Sequence, residues 1–343
     1  MELDNTIGAV LHVYGLDSSE FFIQRIDSGH INYTYKLAPG YILQRINKHV
    51  FRNPQALSNN LQVASDFLKL NAPDYLFLHA IKASSGEDLV FDDDGYPWRL
   101  FPYFENTATI NEVATVHQAF AAASAFGLLS KNLSGCDITK FEETIPWFHD
   151  LSLRYKQFEE AMKKSTVERK HLAAQWIDRY VHYNYLVRKY NNLIQSNQLT
   201  LRVTHNDTKI NNVLFERDTD KVICVIDLDT LMPGYFIYDL GDMIRTFVSP
   251  ASEEETDFTK IKIRKDIYQA ILDGYLSEME FILTNEEKLA IPLAGSIMTY
   301  MIGLRFLTDF LQGDIYYQTS YPHQNLNRAI NQIYLLEQLE SQT

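Results

Sequence analysis

The sequence predicts an α+β chain in two lobes: residues 1–105 as a small lobe built on a five-stranded antiparallel sheet with one helix, and residues 106–343 as a larger, mainly helical lobe. Three observations carry this expectation. Five strand-length runs of aromatic and aliphatic residues, divided by Gly, Pro and Asp turns, lie between residues 21 and 104. Stretches with helical apolar spacing dominate from residue 111 onward. At 343 residues the chain is long enough for about two folding units. Their boundary falls near Glu105 and Asn106, where the fifth strand runs into a polar connector.

Residues 1–20 read as a short helical lead-in with Val10, Leu11, Val13 and Tyr14 as its apolar contacts. Phe21 to Ile26, Tyr33 to Leu37 and Tyr41 to Ile46 form a meander that turns at 27–32 and at Pro39-Gly40. The next helix opens with Asn53 as N-cap and Pro54 in its first turn. Leu57, Leu61, Ala64 and Leu68 make its apolar stripe. Tyr75 to Ile81 is a fourth strand, Asp92 to Gly95 a solvated hairpin turn, and Tyr96 to Phe104 a fifth strand. Residues 111–129, 144–164 and 167–194 follow as helices, the last two rich in packing aromatics. Asp239 to Asp242 opens another helix, where carboxylates favour the N-terminal dipole. Ser252 to Glu255 fits a helix start or a solvated loop. Arg305 and Asp309 sit four apart on a later helix, the spacing of an intrahelical ion pair.

Composition narrows the class. With 46 % hydrophobic and 22 % charged residues, the chain has the balance of a soluble globular protein with a large core. A net charge of −13 argues against nucleic acid or an anionic membrane as the main partner. The two cysteines, Cys136 and Cys224, give neither a disulfide framework nor a zinc site. The first residues lack a basic region and an apolar signal segment, and no run approaches about 18 apolar residues. A cytoplasmic protein is expected.

The chemistry concentrates in Val203 to Phe215 and Val222 to Asp229. The first contains His205, Asp207 and Asn212 in the spacing H-x-D-x-x-x-x-N. The second is an apolar run ending in carboxylates, and Arg217 to Lys221 between them is a polar hairpin turn. A loop, two short strands and a terminal acid can gather an acid, an amide and a second acid around one small volume. Phosphoryl transfer needs those groups, because the protein mostly positions the reactants and neutralises charge. Asp207 is assigned to the attacking hydroxyl. Asn212 and Asp227 are assigned to magnesium, which prefers hard oxygen ligands and keeps several waters. His205 braces the loop, and Asp239 braces it from below.

This arrangement resembles the catalytic and metal loops of protein kinases. The variant H-N-D-T-K-I-N-N at 205–212 resembles more closely the aminoglycoside phosphotransferase and choline kinase superfamily. The resemblance implies a bilobal protein-kinase-like fold that uses ATP and Mg2+. It makes the turn with Gly29 and Asn32 the one that covers the nucleotide, laying backbone N–H groups over phosphates. It makes Phe101 to Phe104, with Phe101 and Tyr103 as contacts, the hinge that pairs with adenine. A lysine would be usual on the third strand, to meet the α- and β-phosphates. Gln44 and Arg45 stand there instead, and strand alternation puts only one of them on the nucleotide face. The following helix lacks the usual glutamate, for which Gln62 or Asp66 could substitute.

Over almost its full length the sequence resembles the N-acetylhexosamine 1-kinase group of that superfamily. S-G-H-I-N at 28–32, Y-I-L-Q-R-I-N at 41–47, V-I-D-L-D-T-L-M-P-G at 225–234 and G-L-R-F-L-T-D-F-L-Q-G-D-I-Y-Y at 303–317 carry the resemblance. It implies ATP-dependent phosphorylation of the anomeric hydroxyl of N-acetylglucosamine or N-acetylgalactosamine. Asp207 is then the catalytic carboxylate, and Asn212 and Asp227 the metal ligands. Asp229 reaches the metal or the sugar, and Lys209 stands where it could touch the γ-phosphate. His30, Arg305 and Tyr316 or Tyr317 are the implied sugar contacts. Two alternatives remain: a kinase of another small alcohol or sugar, such as an aminoglycoside, choline, homoserine or a different hexose, and a catalytically silent binding module on the same scaffold.

Overall fold

The computed structural model of the chain describes residues 2–26 and 31–341. After α1 (Glu2–Val13) come β1 (Phe22–Ile26), β2 (Tyr33–Ala38), β3 (Tyr41–Arg45), α2 (Pro54–Asn71), β4 (Val90–Phe91) and β5 (Pro97–Pro102). The strands form one antiparallel sheet in the order β1-β2-β3-β5-β4. Side chains alternate across a strand, so Tyr35, Leu37 and Leu43 share one face. They pack there with Trp98, Leu100 and the α1 residues Ile7, Val10 and Leu11. Asp92 ties the β4–β5 turn, accepting from Tyr96 N at 2.8 Å and Trp98 Nε1 at 2.8 Å.

The expected fourth strand at 75–81 is not formed. Only Ile81 reaches the sheet, donating its N–H to Leu100 O at 2.7 Å. Strand β4 holds the outer edge of β5 only at Pro97 and Trp98, and of the segment 75–81 Ile81 alone pairs with the remainder.

The α2 stripe is buried as its spacing requires, although Asn53 makes no side-chain cap bond. Its two halves serve different cores. Leu57 packs with Ile46, Phe51 and Leu89, whereas Leu61, Ala64 and Leu68 join the large C-terminal core. Asn60 fastens this junction, donating to the carbonyls of Glu142 at 2.8 Å and Leu231 at 2.9 Å.

The rest comprises β6 (Thr107–Ala108), α3 (Val116–Asn132), α4 (Leu151–Lys164), α5 (Val167–His182), α6 (Tyr185–Gln195), β7 (Arg202–Thr204), β8 (Val213–Glu216), β9 (Val222–Val225), β10 (Met232–Gly234), α7 (Phe236–Phe247), α8 (Lys265–Met279), α9 (Asn285–Gln312) and α10 (Gln324–Glu340). Three helix boundaries differ from expectation, each for a local reason. Thr115 starts α3, four residues late, through a capping box with Gln118. Asp150 caps α4 by accepting from Leu153 N, after Pro146 and a left-handed Trp147 interrupt the chain. The stretch 167–194 breaks at Tyr183-Asn184, inside a Val-His-Tyr-Asn-Tyr run of weak helix formers.

Helix α9 is long and apolar enough to cross a membrane by composition, but its apolar surface is taken up by α4, α7 and α10. Two close helix crossings require glycine. A Cβ on Gly241 of α7 would lie 2.3 Å from Ala294 O, and one on Gly274 of α8 would lie 2.4 Å from Phe120 O. Sheet β6-β8-β9 and the pair β7-β10 complete the lobe. They hold two loops side by side, 205–212 between β7 and β8, and 226–231 between β9 and β10. The molecule is therefore bilobal and kinase-like, with a five-stranded lobe over a mainly helical one.

Candidate active site

The 205–212 loop is held by buried hydrogen bonds at nearly every residue. Asp239, fully buried in the first turn of α7, accepts from His205 N at 3.1 Å and Asn206 N at 2.7 Å, while its carbonyl accepts from Thr208 Oγ1 at 2.7 Å. Burial pushes the Asp239 carboxyl up to about 6 even with these donors. His205 donates Nε2–H to Ile226 O at 3.0 Å and accepts Asp207 N at Nδ1, 3.2 Å away. The ring is thereby the neutral Nε2–H tautomer and joins the two loops. Asn206 adopts φ +65°, where Asn is tolerated. Its amide donates to Thr230 O at 2.9 Å, and Thr230 Oγ1 returns a bond to His205 O at 2.6 Å. Neither Asn206 nor Thr230 was foreseen as a brace.

Four side chains then meet at a cleft of about 440 Å³: Asp207, Lys209, Asn212 and Asp227. Lys209 Nζ lies 3.2 Å from Asp207 Oδ1. Burial opposes ionisation of Asp207, but Lys209 together with His205 and Arg245 holds the carboxyl below the usual range. Asp207 in turn raises the Lys209 ammonium above its ordinary value. Asn212 donates Nδ2 to Asp207 O at 2.8 Å and to Oδ2 at 3.2 Å, leaving its side-chain oxygen Oδ1 uncommitted among the described residues, while its backbone carbonyl accepts from Ile226 N at 2.9 Å. Asp227 has φ +56° at the end of β9 and opens into the cleft. Its enclosed position, with the charges of Asp229 and Asp207 beside it, pushes its carboxyl up to about 7.

That charge crowding suits a cation. Among the described residues no group of three His, Cys, Asp or Glu side chains forms an all-protein metal cage. One carboxylate and one amide oxygen, with room for water and phosphate, is instead the donor set magnesium tolerates.

Several expected contacts are placed differently. Gln44 faces the cleft, whereas Arg45 lies on the other side of β3, its guanidinium 4.5 Å from the Tyr33 ring and 4.6 Å from that of Tyr96. Arg45 is therefore removed from the nucleotide contacts. Gln62 bonds Asp66 on the exposed face of α2 at 2.8 Å, so neither substitutes for a buried glutamate. Asp229 is not open to metal or sugar: Oδ1 pairs with Arg99, and Oδ2 accepts from Asn32 Nδ2 at 2.7 Å. Asn32 lines the cleft with both ends of its amide engaged, since Oδ1 accepts from Asn47 N at 2.9 Å. Phe101 and Tyr103 line the cleft, but the Tyr103 N–H is spent on Gly40 O at 2.8 Å. Gly29 and His30 lie outside the described residues.

Arg305, Tyr316 and Tyr317 do cluster. The Arg305 guanidinium lies 5.1 Å from the Phe148 ring, 5.7 Å from Tyr316 and 5.6 Å from Tyr317. Arg305 does not pair with Asp309. That carboxylate instead anchors the turn after α9, accepting from Ile315 N at 2.9 Å, Tyr316 N at 2.8 Å and Tyr317 N at 3.0 Å. The neighbouring pair Phe148-His149 ties this cluster to the 205–212 loop, because His149 Nε2 donates to Asn206 O at 2.8 Å. Ser252 to Glu255 is neither a helix start nor a merely solvated loop. Glu253 pairs with Arg245 at 2.8 Å, and Glu254 pairs with Arg328.

His149 makes one pH effect readable. Burial holds its imidazole down at about 3 against an ordinary 6.5, so it stays neutral in the fold. Below about pH 6.5 the unfolded chain takes up a proton that the folded chain refuses. Its contribution is complete above that pH and shrinks by about 1.4 kcal/mol per unit on acidification. Denaturant midpoints between pH 7 and 5 should therefore fall less steeply in His149→Gln, whose amide keeps the donor, than in the parent.

An acid, an amide and a second acid on this bilobal scaffold define a small-molecule kinase, a phosphotransferase acting on a hydroxyl. Residues 23–270 match the family model described as APH, phosphotransferase enzyme family, and the chain belongs to that family. Its fold is similar to that of amicoumacin kinase hAmiN in complex with AMP-PNP, Ca2+ and Ami, at 15 % identity and TM-score 0.63, covering 100 % of this chain and 93 % of that one. A microcompartment-associated aminopropanol kinase is similar at 14 % identity and TM-score 0.61, covering 98 % and 96 %. A choline/ethanolamine kinase family protein from Mesorhizobium loti is similar at 14 % identity and TM-score 0.59, covering 98 % and 93 %.

Proposed function

We propose that the protein transfers the γ-phosphoryl group of ATP to the anomeric hydroxyl of an N-acetylhexosamine, with Mg2+. The observation that carries the sugar reading is the Arg305, Tyr316 and Tyr317 cluster, tied to the loop of Asp207 through Phe148 and His149. A guanidinium offers planar donors to sugar hydroxyls and an acetamido oxygen, and aromatic rings cover sugar C–H faces. Asp207 orients the hydroxyl and accepts its proton as the new O–P bond forms and ADP leaves. A hemiacetal hydroxyl is more acidic than an ordinary alcohol, so a carboxylate kept ionised by Lys209 is basic enough. Asn212 and Asp227 would hold Mg2+, which neutralises charge on the phosphates. Lobe assignment follows the same reading, with residues 1–105 covering the nucleotide and 106–343 holding the acceptor.

The aminopropanol and choline/ethanolamine relatives favour a second reading, an amino alcohol as acceptor. The side chains beside His149 argue against it. Arg154 and Arg305 both add positive charge there, and a cationic acceptor would be repelled. A coupled ADP-release assay over N-acetylglucosamine, N-acetylgalactosamine, glucose, galactose, an aminoglycoside, choline and homoserine separates the readings. Turnover of at least one N-acetylhexosamine well above the amines is expected. If neither is turned over, the sugar reading fails.

Arg305→Met should raise the acceptor KM about 10- to 100-fold, the value of a charge-assisted hydrogen bond, and leave the ATP KM unchanged. Initial rates with one reactant varied at a time check this split.

A further inference from the structure

The nucleotide cleft lacks the third-strand lysine, yet a buried cation stands one strand over. Gln44 on β3 and Arg99 on β5 are direct cross-strand partners, so their side chains leave the same face of the sheet at the same level. Arg99 is buried in the cleft wall at 3 % exposure. Its Nε donates to Gln44 Oε1 at 2.9 Å, and Nη2 pairs with Asp229 Oδ1. The guanidinium carbon lies 4.9 Å from the ring of Phe101, another cleft residue. Nη1 donates to no protein acceptor among the described residues.

A buried ion pair is a poor stabiliser by itself, since desolvation offsets most of the Coulomb gain. This one sits where three carboxylates, Asp207, Asp227 and Asp229, border the cleft, with Lys209 as their other cationic neighbour there. We propose that Arg99 is the residue that receives the α- and β-phosphates of the nucleotide, with Gln44 and Asp229 orienting it and Asp229 linking it to the metal loop. The third-strand cation has in effect moved to β5, and the partner acid comes from the loop after β9 instead of from α2. An arginine keeps its charge under burial, and its planar fork holds two acceptors in fixed directions while presenting a further donor.

The inference rests on the ATP-dependent reading but not on the identity of the acceptor, so it is tested by nucleotide binding with no acceptor present. Arg99→Met is titrated with ATP, ADP and adenosine by calorimetry, after circular dichroism confirms folding. ATP and ADP affinities are expected to fall about 10- to 100-fold, with adenosine affinity kept within about twofold. The double variant Gln44→Lys, Arg99→Met, which restores a cation from β3, is expected to recover most of the loss. If Arg99→Met does not fold, Arg99→Lys carries the test, with a smaller loss confined to the phosphorylated ligands. ATP affinity unchanged in a folded variant, or an equal loss for adenosine, would overturn the proposal. Failure of the sugar panel, by contrast, would leave the ATP titration of the parent intact.

Discussion

Asp207→Asn is expected to reduce turnover by about 10²- to 10⁴-fold, the range for loss of a positioned general base, while nucleotide affinity stays within a few-fold of the parent. The asymmetry follows from the geometry. Asp207 bonds Lys209 and Asn212 but braces nothing in the core, and its backbone is held by His205 and Asn206 through Asp239. The side chain is partly exposed, so its ion pair contributes little to stability and the melting temperature should hardly move. Steady-state kinetics beside ATP calorimetry reads both halves. Unchanged turnover would remove Asp207 from the chemistry, and lost ATP binding would make it a nucleotide contact.

Gly241→Ala should destabilise the fold although it replaces glycine inside a helix. Alanine normally favours a helix interior by about 1 kcal/mol over glycine. Here the new methyl would lie 2.3 Å from Ala294 O and 2.5 Å from Met298 Cγ. The first of these is backbone of the central helix and cannot rotate away, so α7 and α9 must separate. Overpacking of that kind costs about 1–3 kcal/mol, so the steric term should win by about 1 kcal/mol net, and by up to about 2 kcal/mol. Asp239 lies two residues away on α7, so any shift of the helix moves the support of His205 and Asn206. Denaturant midpoints should fall and turnover should fall with them, whereas a midpoint at or above the parent's would show that the crossing can open freely.

Much of this was legible in the sequence where the determinants are local. The β1–β3 meander is punctuated by its own turns, and the α2 stripe by its own periodicity. That Asp207, Asn212 and Asp227 come together at one cleft was readable because one loop and one hairpin carry all three. What was not legible depends on pairing at a distance. The segment 75–81 has strand composition but meets β5 only at Ile81. Arg45 and Gln44 could not be ranked until the sheet's faces were known. Arg99 left one signal, a charged residue inside the otherwise apolar run of β5, and such a residue is rarely buried without a partner. Its partner Asp229 lies 130 positions away. Asp229 itself resembled a metal or sugar ligand only because Arg99 and Asn32 were out of view.

The most direct test is to find where the phosphate goes. Purified protein is incubated with ATP, Mg2+ and N-acetylglucosamine or N-acetylgalactosamine, and the product is examined by 31P and 13C nuclear magnetic resonance. A phosphorus coupling to the anomeric carbon, growing in step with ADP and absent in Asp207→Asn, is the expected result. Phosphate on another hydroxyl, or ATP consumed with no phosphorylated sugar formed, would contradict the assignment.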